Sequence, residues 1–135
     1  MNSIVLYYSL TGTTKPLAED FARANGLAVC EVRTPRKLSS AAAYTAGIVK
    51  AIKGRGMPIA PPAIPLGSCE AAHIFAPVWA DSIAPPMNSA IALLPKDCAL
   101  HLHMVSASGK SDPARVKANL QRMGYTVASY EDLKK

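Results

Sequence analysis

The sequence predicts an α/β domain, a three-layer, doubly wound, parallel sheet of five strands, and three observations predict it. Five short runs rich in β-branched and aromatic residues recur along the chain: "SIVLYYS", "LAVCEV", "AHIFAPVWA", "ALHLHMVS" and "YTVASY". Between them lie stretches whose apolar residues repeat at helical spacing, with proline near their starts and glycine near their ends. No internal repeat divides the chain, so residues 1–135 read as one domain, and strands alternating with helices of this length build a parallel sheet with right-handed crossovers.

The first run, "SIVLYYS", has the continuous apolar character of a strand buried on both faces. Pro16 then suits a first helical turn, where the amide it lacks would be unpaired anyway. From Pro16 to Asn25, Leu17, Ala18, Phe21 and Ala22 share a face, and Gly26 is a natural stop. After the strand "LAVCEV", a second helix is expected over Ala41–Lys53, with Tyr44, Ile48 and Ile52 four apart as its buried stripe. Four prolines in "MPIAPPAIP" forbid a regular helix or a central strand, so that stretch is an extended connector. Pro85 and Pro86 open a third helix carrying Met87, Ala90, Ile91 and Leu94. Asp112 as cap and Pro113 in the first turn open a fourth, with Val116, Leu120 and Met123 inward. The fifth strand, "YTVASY", leaves only "EDLKK" after it.

Composition narrows the function classes. Hydrophobic residues make up 50% of the 135 residues, enough for a core without disulfide or metal staples. Cys30, Cys69 and Cys98 form no CxxC pair and no even framework, which points to a reducing, cytoplasmic compartment. No apolar run reaches the roughly 18 residues a membrane span needs, and the first strand lacks the basic flank of a secretory signal. The net charge is +6, but the basic residues are scattered without interleaved aromatics, a solubilising surface rather than a nucleic-acid interface.

In a sheet of this kind ligands bind outside the carboxyl ends of the strands, so the strand exits are the informative places. The first exit is Ser9-Leu10-Thr11-Gly12-Thr13-Thr14, and it runs straight into a helix. A helix amino terminus offers unpaired amides and partial positive charge, Gly12 admits close backbone approach, and four hydroxyls add donors; together they suit a phosphate. Neither GxxxxGK[ST] nor GxGxxG is present, so the loop is not of the nucleotide-triphosphate or dinucleotide type. At the third exit, "PVWADS", Trp79 is the single tryptophan, placed to stack on a flat heterocycle or to pack into the core. The fourth exit, "SASGKSDP", is small and hydroxyl-rich.

The strand followed by "SLTGTT" resembles the phosphate loop of flavodoxins, and "FAPVWADSIAPPMNSAI" resembles their strand and flavin-flanking loop leading into a helix. The resemblance runs from Ile4 to about Tyr130. It implies the strand order 2-1-3-4-5 and non-covalently held flavin mononucleotide (FMN). It also implies that Ser9, Thr11, Gly12, Thr13 and Thr14 hold the phosphate and that Pro77, Val78, Trp79 and Ala80 flank the ring. Ser106, Ala107, Ser108 and Gly109 correspond to the second ring loop, which here lacks the aromatic residue usual in the family. The implied function is an FMN-dependent electron carrier or small flavin-dependent reductase component, working with a redox partner protein. The alternative is a flavodoxin-fold interaction or regulatory module that no longer holds flavin.

The family's closing helix is not evident in "EDLKK", so part of one sheet face is expected to lack its cover, and a homodimer is one way to supply it. His101 and His103 alternate with Leu100, Leu102 and Met104, so that face of the strand is polar, and it is the face expected to be open. The two histidines read as partly solvated sheet residues rather than a metal site. Cys30 and Arg36 have the spacing of cysteine-dependent tyrosine phosphatases, but "EVRTP" between them has no glycine and Cys30 falls within a strand, so hydrolysis is not expected.

Overall fold

Ile4, Val5, Leu6 and Tyr7 are all buried, because β1 (Ser3–Tyr7) has a strand on each side and packed side chains on both faces. The computed structural model, which describes residues 2–35 and 47–135, continues with α1 (Thr14–Asn25), β2 (Ala28–Glu31), α2 (Ile48–Ile52) and β3 (Ala71–Trp79). Then come β4 (Ser82–Ile83), α3 (Pro85–Ile91), β5 (Ala99–Ser106), α4 (Pro113–Arg122) and β6 (Thr126–Lys134). Five strands form a parallel sheet in the order β2-β1-β3-β5-β6, and the two-residue β4 folds back antiparallel on the end of β3. Apart from that short return, this is the order 2-1-3-4-5, and the fold is α/β and flavodoxin-like.

Local signals end and start the helices where expected. Gly26 at φ 64° closes α1, its amide bonding to Arg23 O while the Leu27 amide bonds to Ala22 O. Asp112 caps α4, its side chain accepting the Arg115 amide at 3.1 Å. Met87, Ala90, Ile91 and Leu94 are buried, and 57–62 carry no regular structure.

Two expectations need correction. The last strand does not stop at Tyr130 but runs to Lys134, paired with β5 along its length through a bulge after Leu100. Of the expected helix over Ala41–Lys53, Tyr44 and everything up to residue 46 lie outside the described residues, and α2 turns Ala51 inward while Ile52 is 41% exposed. Over the described residues this helix buries one small side chain, Ala51, rather than a stripe.

The two faces of the sheet differ. Leu6, Ile74, Leu102 and Met104 point towards α3 and α4 and form the larger core with Met87, Ile91, Val116 and Leu120. The opposite layer holds Val5, Tyr7 and Phe75 under α1, through Ala18, Ala22 and Phe21. Parallel register brings His73 beside His101 and Phe75 beside His103, so all three histidines lie on the α1 side. The histidines make part of that face polar, as the alternation in β5 implies, while Val29, paired with Val5, is an exposed apolar residue on it.

The histidines are wired to one another. Glu131 on β6 accepts the Nδ1–H of His103, which leaves His103 Nε2 to accept the Nδ1–H of His73 at 3.0 Å. His101 Nδ1 lies 2.7 Å from Ser129 Oγ, and its ring stacks on His73 with centroids 4.6 Å apart. Phe21 leans over His73 and His103 at 4.7 and 5.0 Å. Burial, reinforced by the neighbouring imidazoles, pushes His73 down to about 4. Burial also lowers His103, against the opposing pull of Glu131.

Both imidazoles therefore take up a proton more readily in the unfolded chain. Stability is expected to be full above about pH 6.5 and to fall as the pH drops from there through about 4, where His73 itself titrates. Denaturant unfolding across that range checks it, and His73→Gln should remove up to about one proton from the slope.

Candidate functional site

The first-strand exit leads from Tyr8 into α1, a twelve-residue helix whose N-cap, Thr13, makes no side-chain capping bond and whose first turn carries no carboxylate. Its leading amides are thus left to other partners. Gly12 sits at φ +89°, a conformation suited to glycine, and a Cβ built on it would meet nothing within 4 Å: the turn opens outward. Thr11 and Thr13 place their hydroxyls 3.4 Å apart, and Thr14 is buried at the start of the helix. Ser9 Oγ is buried with no hydrogen-bond partner; among the described residues it shares that state only with Ser82 Oγ. A buried hydroxyl without a partner is costly.

The third-strand exit is tighter than a simple loop. Trp79 pairs with Ser82 across Ala80 and Asp81, which have φ of 50° and 62°, the signature of a two-residue hairpin turn. α4 holds this turn from behind: the Asp112 amide bonds Asp81 O at 2.8 Å, and Arg115 Nη1 bonds Ala80 O at 3.3 Å. The Trp79 ring stands edge-on to Tyr8, with centroids 6.2 Å apart. A Cβ on Gly47 would come within 2.5 Å of that ring, so Gly47 is what lets the chain beside α2 pass so close. Trp79 is half-buried, serving the core and the cleft together.

The fourth-strand exit spends its hydroxyls internally. The Lys110 amide is shared by Ser106 Oγ at 3.1 Å and Ser108 Oγ at 3.2 Å, and Gly109, at φ +70°, closes the turn against Lys134.

The three exits meet in a cleft of about 260 Å³. It brings together Thr11 and Thr14 from the first loop, Pro77, Val78 and Trp79 from the second, and Ser106 and Ala107 from the third. Ser9, Gly12, Thr13, Ala80, Ser108 and Gly109 do not line it. Leu10, Val105 and Lys135 line it without having been foreseen. Lys135 arrives there because its amide bonds Ser106 O at 2.9 Å, a consequence of the length of β6 that a polar carboxyl-terminal stretch does not advertise. A groove of about 350 Å³ beside β2 includes Cys30, but that cysteine is 2% exposed, Arg33 is paired with Glu31 at 2.8 Å, and Arg36 lies outside the described residues. Among the described residues there is no group of three or more histidine, cysteine or acidic side chains arranged to hold a metal, and no helix long and apolar enough to cross a membrane.

No protein-family model and no curated protein sequence matches this chain. Solved structures do. A flavoprotein from Lactobacillus acidophilus, crystallised in complex with FMN, aligns with a TM-score of 0.74 at 19% identity, over 96% of this chain and 91% of that one. A candidate flavoprotein from Bacteroides eggerthii aligns at 0.77 and 20% identity, over 96% and 86%. Another, from Bacteroides uniformis, aligns at 0.70 and 22%, over 96% and 87%. At such identities the likeness establishes the fold, which is the one these flavoprotein structures share.

Two substitutions of opposite sense test the backbone of the site. Ala80→Gly relieves a positive φ and should stabilise by up to about 1 kcal/mol, whereas Gly12→Ala imposes one in open space and should cost about 1 kcal/mol. Thermal and denaturant unfolding of the two variants reads both signs.

Proposed function

We propose that this chain binds FMN and works as a redox protein, either an electron carrier or a small flavin-dependent reductase component. The observation that carries the reading is the first-strand exit: an uncapped helix start, an outward-opening Gly12 and the unpartnered buried Ser9 hydroxyl, beside a cleft bordered by Trp79. In this reading the amides of Thr11 to Thr14 and the hydroxyls of Ser9, Thr11 and Thr13 hold the phosphate. Pro77 to Trp79 border one side of the ring, and the backbone of Ser106 and Ala107 offers amides and carbonyls to its edge. FMN supplies the one- or two-electron chemistry when bound. The chain's own contribution is to seat the phosphate, exclude water with Trp79 and Leu10, and place a cation, Lys135, at the cleft. A net charge of +6 suits a redox partner with an acidic docking face. The Lactobacillus acidophilus structure, in the same fold with FMN, supports the cofactor.

A second reading, an interaction or regulatory module without flavin, draws on the fourth-strand exit, whose serines already satisfy Lys110.

Titration with FMN and with riboflavin, followed by flavin fluorescence and Trp79 quenching, separates the two. Hydrogen bonds to a charged group contribute about 1.5–3 kcal/mol each, so riboflavin is expected to bind at least about tenfold more weakly than FMN. Equal affinity for both flavins would remove the phosphate seat, and binding of neither at high micromolar concentration would leave the second reading.

A further inference from the structure

At the end of the sheet away from the cleft, two of the three cysteines meet. Cys69 precedes β3 and Cys98 precedes β5, both are buried, and both belong to the core on the α3–α4 side. The ladder between these strands pairs Ala71 with Ala99, and the Ala99 amide extends it by bonding Glu70 O at 2.9 Å. Cys98 is therefore opposite Glu70, one residue out of step with Cys69. Glu70 sits at a bend, so the alternation of the strand is broken just before β3 and both cysteines turn into the same core cluster. There the two thiols are near enough to act on one another's ionisation.

Their surroundings are unequal. Cys69 borders an open cleft of about 640 Å³, together with Gly67, Ser68, Pro95 and Asp97, whereas Cys98 is not on its wall. The Cys69 thiol reaches Ala71 O at 3.0 Å and Asn2 O at 3.5 Å, which fixes its rotamer. Burial pushes Cys69 up, but the Cys98 thiol and the backbone amides of Ala71 and Ile4 favour its thiolate, against nearby Glu70. Burial and the neighbouring Cys69 push Cys98 up to about 12, with Asp97 adding to the rise and Tyr125 close by.

We propose that Cys69 and Cys98 are a redox-active pair that closes to a disulfide linking the amino-terminal ends of β3 and β5, by exchange with a low-molecular-weight disulfide. The Cys69 thiolate attacks one sulfur of the small disulfide, forming a mixed disulfide and releasing one small thiol. Cys98, giving up its proton, then attacks the Cys69 sulfur and releases the second small thiol. Two protein thiols are oxidised, one small disulfide is reduced to two thiols, and the protein's two protons end on them. The high cost of ionising either sulfur in the core keeps the reduced pair inert to casual modification, so exchange is slow and intramolecular closure dominates once Cys69 is engaged.

The test treats the native protein with oxidised glutathione at about pH 8.5, near the unperturbed thiol value, then counts free thiols and maps linked peptides by mass. Loss of two of the three thiols, a Cys69–Cys98 linked peptide with Cys30 free, and reversal by a dithiol reductant are expected. Cys98→Ser should stop at a glutathione adduct on Cys69, and Cys69→Ser should leave Cys98 unmodified. Three thiols still titratable after prolonged exposure, a link that includes Cys30, or an adduct on Cys98 in Cys69→Ser would each overturn the proposal.

Discussion

The register between β1, β3 and β5 is the constraint on which the other features depend. Pairing Tyr7 with Phe75 and Phe75 with His103 sets the three strand ends level, so that their exits share one cleft. The same pairing sorts the faces. A slip of one residue would carry His73, His101 and His103 into the aliphatic layer occupied by Ile74, Leu102 and Met104 and bring those residues out to the α1 side. Burying three imidazoles without Glu131 and Ser129 as partners would leave several polar atoms unsatisfied, so chemistry on one face and packing on the other specify a single alignment.

How far the sequence spoke for itself follows from the kind of signal each element carries. β1 and β3 have neighbouring strands on both sides and are therefore mostly apolar runs, and the helices that start at Pro85 and Pro113 announce themselves by residues that have little other use there. β6 lies at the sheet edge with most of its residues exposed, so selection for apolar alternation is weak, and its second half, "EDLK", looks like a tail. That misreading also hid Lys135, whose place beside Ser106 depends on pairing that persists to the end of the strand. The side taken by His73 was undecidable for a related reason: apolar residues flank it on both faces of β3, and only its neighbour's register decides which way each residue turns.

The candidate site shows the same division. Hydroxyl-rich turns at two strand exits look alike in sequence, but one leaves Ser9 unsatisfied and its helix uncapped, while the other closes Ser106 and Ser108 on its own amide. Composition marks both as places where ligands could bind; only geometry separates a turn that needs a partner from one that has supplied its own. Trp79 was legible as unusual and not as shared between core and cleft, because Gly47, which makes room for its ring, lies far from it in sequence.

The two margins of the sheet have a bearing on how this protein behaves when crowded. A parallel sheet with an unpaired edge is a template onto which a strand from another molecule can add, the first step towards fibrous aggregates. β2 presents only four residues at one margin, and residues beyond it fold back so that the Ala60 amide bonds Arg33 O. At the other margin β6 is long, but Glu131, Asp132 and Lys134 are exposed along it, and a bulge breaks its line between Val127 and Ser129. A strand arriving there would have to bury charge and match an irregular ladder, so the polar character that disguised β6 in the sequence also guards the molecule against growing by addition.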